Sequence, residues 1–162
     1  MNSAREPIPA AEDVSLLCTA ISAAMNRSIR ETLTRAGFDD ARDSHGYVFQ
    51  HLLDGPVTIG ELAARLGLTQ QAISKSTIEL ERLGYVRRVA DPDDQRVRNV
   101  ELAERGWAVI DAGCAARAAL NDQLRRRLGD SELAKLINGL QFLAAEVGAL
   151  DDLESRNLVP PS

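Results

Sequence analysis

The chain has 162 residues, enough for one ordinary domain whose core needs no disulfide or metal support. Apolar residues make up 44% and charged residues 27%, the balance of a globular chain, which excludes global disorder. With 19 Lys+Arg against 24 Asp+Glu the formal net charge is −5, which excludes a generic nucleic-acid coat, because phosphate affinity rests on basic side chains.

The pattern is mostly helical. Val14, Leu17, Cys18, Ile21, Met25, Ile29 and Leu33 repeat at three and four, with Gly37 as the stop. A second helix is expected from about Ser44, carrying Tyr47, Val48, His51 and Leu52 and ended by Asp54-Gly55-Pro56. Thr58-Ile59-Gly60-Glu61 fits a capping box ahead of a short helix with Leu62, Ala63 and Leu66. Thr69 is a good N-cap for the next helix, which places Ile73, Leu80 and Leu83 inward and stops at Gly84.

The period then switches to two. Tyr85–Val89 and Arg96–Leu102 read as strands joined by the turn Asp91-Pro92-Asp93-Asp94-Gln95. Helical spacing returns with Trp107, Ile110, Cys114, Ala118, Asn121, Leu124 and Leu128. Gly129-Asp130-Ser131 then breaks and recaps the chain before Leu133, Leu136, Ile137, Leu140, Leu143 and Val147. The longest uncharged run, Val14 to Asn26, has 13 residues, short of the roughly 18 that a membrane span needs. Met1 to Ala11 lacks the apolar core of a secretory signal, and two cysteines 96 positions apart make no disulfide framework, so a cytoplasmic protein is expected.

Residues 58–83 carry a helix-turn-helix pattern. In Ala63-x3-Gly67-x5-Ile73 the alanine lets two helices approach, the glycine permits a left-handed turn, and the isoleucine plugs the second helix onto the first. The outward residues of that second helix, with its cap, are Thr69, Gln70, Gln71, Ser74 and Lys75. Glutamine can hold adenine bidentately, and Ser or Lys can serve bases or phosphates. An αα-hairpin with a solvated polar face is the plain alternative. Although the chain is acidic overall, residues 82–98 net +2. In the hairpin that follows, Asp94 can brace Arg96 for insertion into a narrow minor groove. Arg98 lies on the same side of the strand, and Arg87 and Arg88 can reach flanking phosphates; a salt-bridged surface hairpin is the alternative.

The stretch Leu68-Thr69…Leu80…Leu83-Gly84-Tyr85-Val86-x-Arg88, then Asp91-Pro92-x-Asp94-x-Arg96 and Leu102-x3-Gly106, resembles the MarR family of bacterial winged-helix repressors. The resemblance runs over residues 13–149, with one departure: Ala103 stands where many members have Thr, which bears on the cap of the next helix. It implies a mainly α (α+β) fold. Residues 40–104 would form the winged helix-turn-helix lobe, 13–37 plus 105–149 the dimerisation helices, and 1–12 and 151–162 flexible termini. It further implies a homodimer on double-stranded DNA, with two recognition helices in successive major grooves of a pseudo-palindromic operator. The broad apolar stripes of the terminal helices agree with a dimer.

The resemblance also implies a signal, often a small aromatic or anionic effector bound between the dimer region and the DNA lobe. Phe38, His45, Phe49 and Trp107 are the candidates to line such a pocket, with core packing as the alternative for each. Cys18 weakly resembles the reactive cysteine of a peroxide-sensing branch, but no basic residue lies within one turn of it, the usual setting of a small core residue. Cys114 reads as packing. A redox switch through Cys18, and a winged-helix module that binds protein and not DNA, are the alternatives to a ligand-responsive repressor. No enzyme, cofactor or metal is expected: His45 and His51 are six apart, and no Cys-x-x-Cys, phosphate-cradling glycine loop or nucleophile elbow is present. Adjacent Asp93 and Asp94 do not make an acid–base pair.

Overall fold

The computed structural model describes residues 8–91 and 98–154. In chain order the elements are α1 (Val14–Arg35), α2 (Asp43–Gln50), β1 (Val57–Thr58), α3 (Ile59–Leu66), α4 (Gln70–Arg82), β2 (Val86–Ala90), β3 (Arg98–Leu102), α5 (Glu104–Leu128), α6 (Asp130–Glu146) and α7 (Leu150–Glu154). The fold is mainly helical with one small antiparallel sheet: a winged helix-turn-helix between long terminal helices.

Several details differ from the sequence expectation. α2 ends at Gln50, so His51 and Leu52, expected on that helix, fall in the turn that follows it. β1 is a third strand, too short to show a period. It pairs as Val57↔Val100 and Thr58↔Asn99, giving the sheet order β1-β3-β2. β2 begins at Val86, one residue later than expected, because Tyr85 turns inward ahead of it. α7 continues helical structure to residue 154, where a frayed terminus from 151 was expected. The expected strand residues Arg96 and Val97, and the turn from Pro92 to Gln95, lie outside the described residues.

The helix ends form as the local chemistry dictates. Thr58 N donates to Glu61 Oε2 at 3.0 Å and Glu61 N to Thr58 Oγ1 at 3.1 Å, a reciprocal box that satisfies two otherwise free donors. The bond from Thr58 N, and a second from the Thr58 hydroxyl at 2.8 Å, hold the Glu61 carboxyl below its usual pKa. Thr69 Oγ1 accepts from Ala72 N at 3.2 Å, a cap of about 1 kcal/mol. Between the two helices Gly67 sits at φ 63°, in the left-handed region that a side chain resists, and Leu68 N closes back on the Ala63 carbonyl.

One core holds the lobe together. Leu52, Leu62, Ile73, Leu80, Tyr85 and Val100 are essentially sealed from solvent, and Val86, Leu102 and Val109 join them from β2, β3 and α5. Thr77 is also buried, its hydroxyl satisfied by the Ser74 carbonyl at 3.0 Å. α5 reaches this core through Gly106, where a Cβ would lie 2.1 Å from the Tyr85 carbonyl oxygen and 3.0 Å from Leu102. Only glycine permits that approach.

The terminal helices are different. α1 packs on α5 and α5 on α6, yet Val14, Leu17 and Ile21 on α1 and Leu136, Ile137, Leu140 and Phe142 on α6 are 39–69% exposed. No helix among the described residues is long and apolar enough to cross a membrane.

Two histidines are buried in the lobe. His45 Nδ1 accepts from Arg42 N at 3.2 Å, and its ring lies among Phe49 and Tyr85, with centroids 6.2 Å from each. His51 Nε2 is buried without a hydrogen-bond partner among the described residues. Burial lowers both pKa values below 6.5; the Arg65 charge adds to the effect at His51.

Gly106→Ala should cost about 2 kcal/mol or more through overpacking against backbone, read as a lower thermal midpoint. Gly46→Ala, on α2 with open space around it, should gain about 0.5–1 kcal/mol. An unchanged midpoint for Gly106→Ala would mean that α5 can back away from Tyr85. The histidine pKa values are depressed in the folded state, so their contribution to stability is full above the unfolded value near 6.5 and is lost as pH falls below it. The urea midpoint should therefore drop between pH 7.5 and 5.5, and the drop should shrink in a His45→Gln/His51→Gln variant. An equal drop in both proteins would place the titration elsewhere.

Candidate nucleic-acid interface

The turn at Gly67 sets α4 across α3. Ile73, Thr77 and Leu80 face the core, which leaves the opposite side of α4 for solvent. Gln70, Gln71 and Lys75 are exposed on that side and Ser74 is half-buried. Thr69 is exposed at the start, with its hydroxyl oxygen accepting in the cap. The five positions singled out from the sequence are thus brought together at the N-terminal half of one helix. The amide of Gln70 extends over Gly60, its Nε2 3.5 Å from where a Cβ would stand.

The hairpin is braced by side chains. Arg87 Nε meets Glu101 Oε1 at 2.6 Å, and Arg88 Nε meets Glu81 Oε2 at 3.4 Å. Both arginines therefore have carboxylate partners. Surface pairs of this kind are worth roughly 0–1 kcal/mol, so exchanging a carboxylate for a phosphate costs little. Asn99 Nδ2 donates to Asp91 Oδ2 at 2.8 Å, which ties the start of the turn to β3. Arg98 is exposed opposite Ala90. Asp94 and Arg96 lie outside the described residues.

The four effector candidates differ in their surroundings. His45 and Phe49 are buried, and Phe49 lies 5.6 Å from the Tyr85 ring, so both serve as core. Phe38 is half-buried at the edge of the same cluster, with the Arg105 guanidinium 5.9 Å from its centroid. Trp107 is 44% exposed on α5. A cleft of roughly 530 Å³ runs instead along α1, lined by Arg27, Arg30, Glu31, Thr34 and Arg35. Within it Arg30 is held by Asp43 at 2.6 Å. Cys18 is half-buried. Cys114, expected to pack, is exposed in the single chain, and its Sγ accepts from Arg117 at 3.4 Å.

A polar network at the base of the hairpin is absent from the sequence reading. The Tyr85 hydroxyl donates to Asp40 Oδ1. Arg105 donates from one nitrogen to the same carboxylate oxygen at 3.0 Å and from another to the Leu83 carbonyl at 2.8 Å, and its guanidinium lies 4.7 Å from the Tyr85 ring centroid. Burial, and then the hydrogen bond to Asp40 and its charge, push the Tyr85 phenol well above its ordinary pKa, so it remains a donor. The partners are 45 and 65 positions apart, and no local pattern links them.

Comparisons with known proteins agree with this geometry. Residues 38–97 match the family described as the MarR family. The apo form of wild-type MarR from E. coli superposes with a TM-score of 0.61 at 23% identity, over 86% of this chain and 98% of that one. FabT from Streptococcus pneumoniae, solved in complex with DNA, gives 0.63 at 22% identity over 85% and 99%. S. aureus MepR bound to ethidium bromide gives 0.62 at 20% identity over 86% and 99%. A search of curated protein sequences gave no match. Residues 38–97 therefore match the MarR-family model, and the chain shares its fold with the solved structures of MarR and FabT.

Proposed function

We propose that the protein is a sequence-specific DNA-binding transcriptional regulator that works as a homodimer and represses until an effector binds. The observation that carries this reading is the capped helix-turn-helix, which presents Gln70, Gln71, Ser74 and Lys75 outward from a rigid core. The N-terminal part of such a helix is what reaches base edges in a major groove. The Arg87, Arg88 and Arg98 side chains flank it on the hairpin, and by resemblance Arg96, braced by Asp94, would enter the minor groove.

The dimer reading rests on the exposed apolar side chains of α1 and α6, continued by Leu153 on α7. Apolar faces of this extent mark an interaction surface, and a second copy of the same helices covers them most simply. The two recognition helices would then sit about 34–36 Å apart, one turn of DNA. For the effector, the arginine-lined cleft on α1 suits an anion better than the aromatic set, whose His45 and Phe49 are committed to the core.

Selection from random duplexes should enrich an inverted repeat with half-site centres about 10 base pairs apart, bound by two chains. No enrichment, with affinity in the non-specific range of about 10⁻⁴–10⁻⁶ M for every duplex, would favour a protein-binding module. Lys75→Ala should lower affinity and flatten the salt dependence by about one unit of slope if the ammonium meets a phosphate; an unchanged slope would exclude that contact. Arg96→Ala should weaken operator binding with the dimer mass intact. Leu140→Glu should give monomers and lose the operator together; a stable Leu140→Glu dimer would sink the proposed interface.

A further inference from the structure

We infer that Arg105 is a positioning residue: from α5 it holds the C-terminal end of α4, and so sets the angle of the recognition helix and the half-site spacing the dimer accepts. This inference rests on the DNA-binding dimer reading above. Leu83 is the C-cap of α4, and its carbonyl is one of those a helix end leaves without an internal partner. Arg105 fills it at 2.8 Å, bringing positive charge to the negative end of the helix. The same guanidinium donates to Asp40, ahead of α2, at 3.0 Å, and lies over the Tyr85 ring at the entry to β2. One rigid planar fork thus joins the start of α5 to three parts of the lobe, a geometry that a flexible ammonium cannot reproduce.

The neighbouring residues of α5 hold the same place by backbone. Ala103 N donates to the Tyr85 carbonyl at 2.9 Å, and Gly106 lets that carbonyl approach α5. These contacts fix the separation of lobe and helix. Arg105 adds the side-chain bonds, to separate elements, that resist rotation. The effect of a small rotation is large. A helix of 13 residues is about 20 Å long, so a pivot of about 10° at its C-terminal end moves its N-terminal end about 3.4 Å, the rise of one base step.

The test uses the full chain and two readouts. For the first, Gln71→Cys and Gln123→Cys carry spin labels in a chain with Cys18→Ser and Cys114→Ser, diluted with unlabelled protein, so that the distance is within one chain and needs no DNA. Arg105→Ala should broaden the distribution between α4 and α5, with Arg105→Lys intermediate. For the second, the selected operator is rebuilt with half-sites one base pair closer and farther. The wild type should prefer its own spacing by tenfold or more, whereas Arg105→Ala should bind all three within about threefold. An unchanged distance width with an unchanged spacing preference would overturn the inference. So would an equal loss at every spacing accompanied by lost helicity, since that is the signature of a merely structural residue. If the wild type selects no operator, the DNA-binding reading fails, and the label distances alone decide whether Arg105 sets the lobe angle. Should Arg105→Ala not fold, Arg105→Lys and Asp40→Asn carry both readouts.

Discussion

The close approach of α5 to the Tyr85 carbonyl is the constraint on which the arrangement depends. It requires the absence of a side chain at Gly106, and it brings a long helix into the core of a lobe that is otherwise built from residues 41–102. Tyr85 is the centre of the contact. Its ring is sealed among His45 and Phe49, its hydroxyl reaches Asp40, and its backbone oxygen accepts from Ala103. A buried phenol without an acceptor would cost roughly 1–3 kcal/mol, so Asp40 is part of what allows tyrosine there. The winged lobe and the long helices meet at these groups, with Val109 and Ile110 of α5, Leu33 of α1 and the Arg30–Asp43 pair beside them.

Much of the lobe is legible in the sequence because its signals are local. A capping box needs only Thr58 and Glu61, a left-handed turn needs only Gly67, and a buried face needs only Ile73, Leu80 and their spacing. The same holds for the polar side of α4, where whatever is not needed for packing is left for solvent. Features that depend on distant residues were not readable. β1 has two residues and acquires its identity from β3. Asp40 and Arg105 look like ordinary surface charges until the fold brings them to Tyr85 and the Leu83 carbonyl. The surroundings of the aromatic candidates were hidden for the same reason: type and number do not say whether a ring faces a void or another ring. Only the neighbouring Tyr85 assigns His45 and Phe49 to the core.

On the DNA-binding reading, the electrostatics reconcile an acidic chain with a polyanionic partner. Two arginines of the hairpin are paired in the free protein, Arg87 with Glu101 and Arg88 with Glu81. Such pairs mute the long-range field, so the net charge of −5 is not offset by a strong basic patch. They also keep the guanidinium groups extended and partly ordered. Recognition would then depend less on steering and more on the exchange of one oxyanion for another at close range. That arrangement favours discrimination between sequences over bulk attraction to any duplex.

The uneven burial has a consequence for how the molecule comes apart. Within a single chain the lobe has a complete interior, whereas α1 contains no fully buried residue and α6 contains only Leu133. Stability is therefore not shared evenly, and opening of the two regions need not be cooperative. Amide protons of α4 and β3 would exchange slowly even in very dilute protein. Those of α1 and α6 would exchange at a rate that rises on dilution, as mass action removes whatever covers their apolar faces.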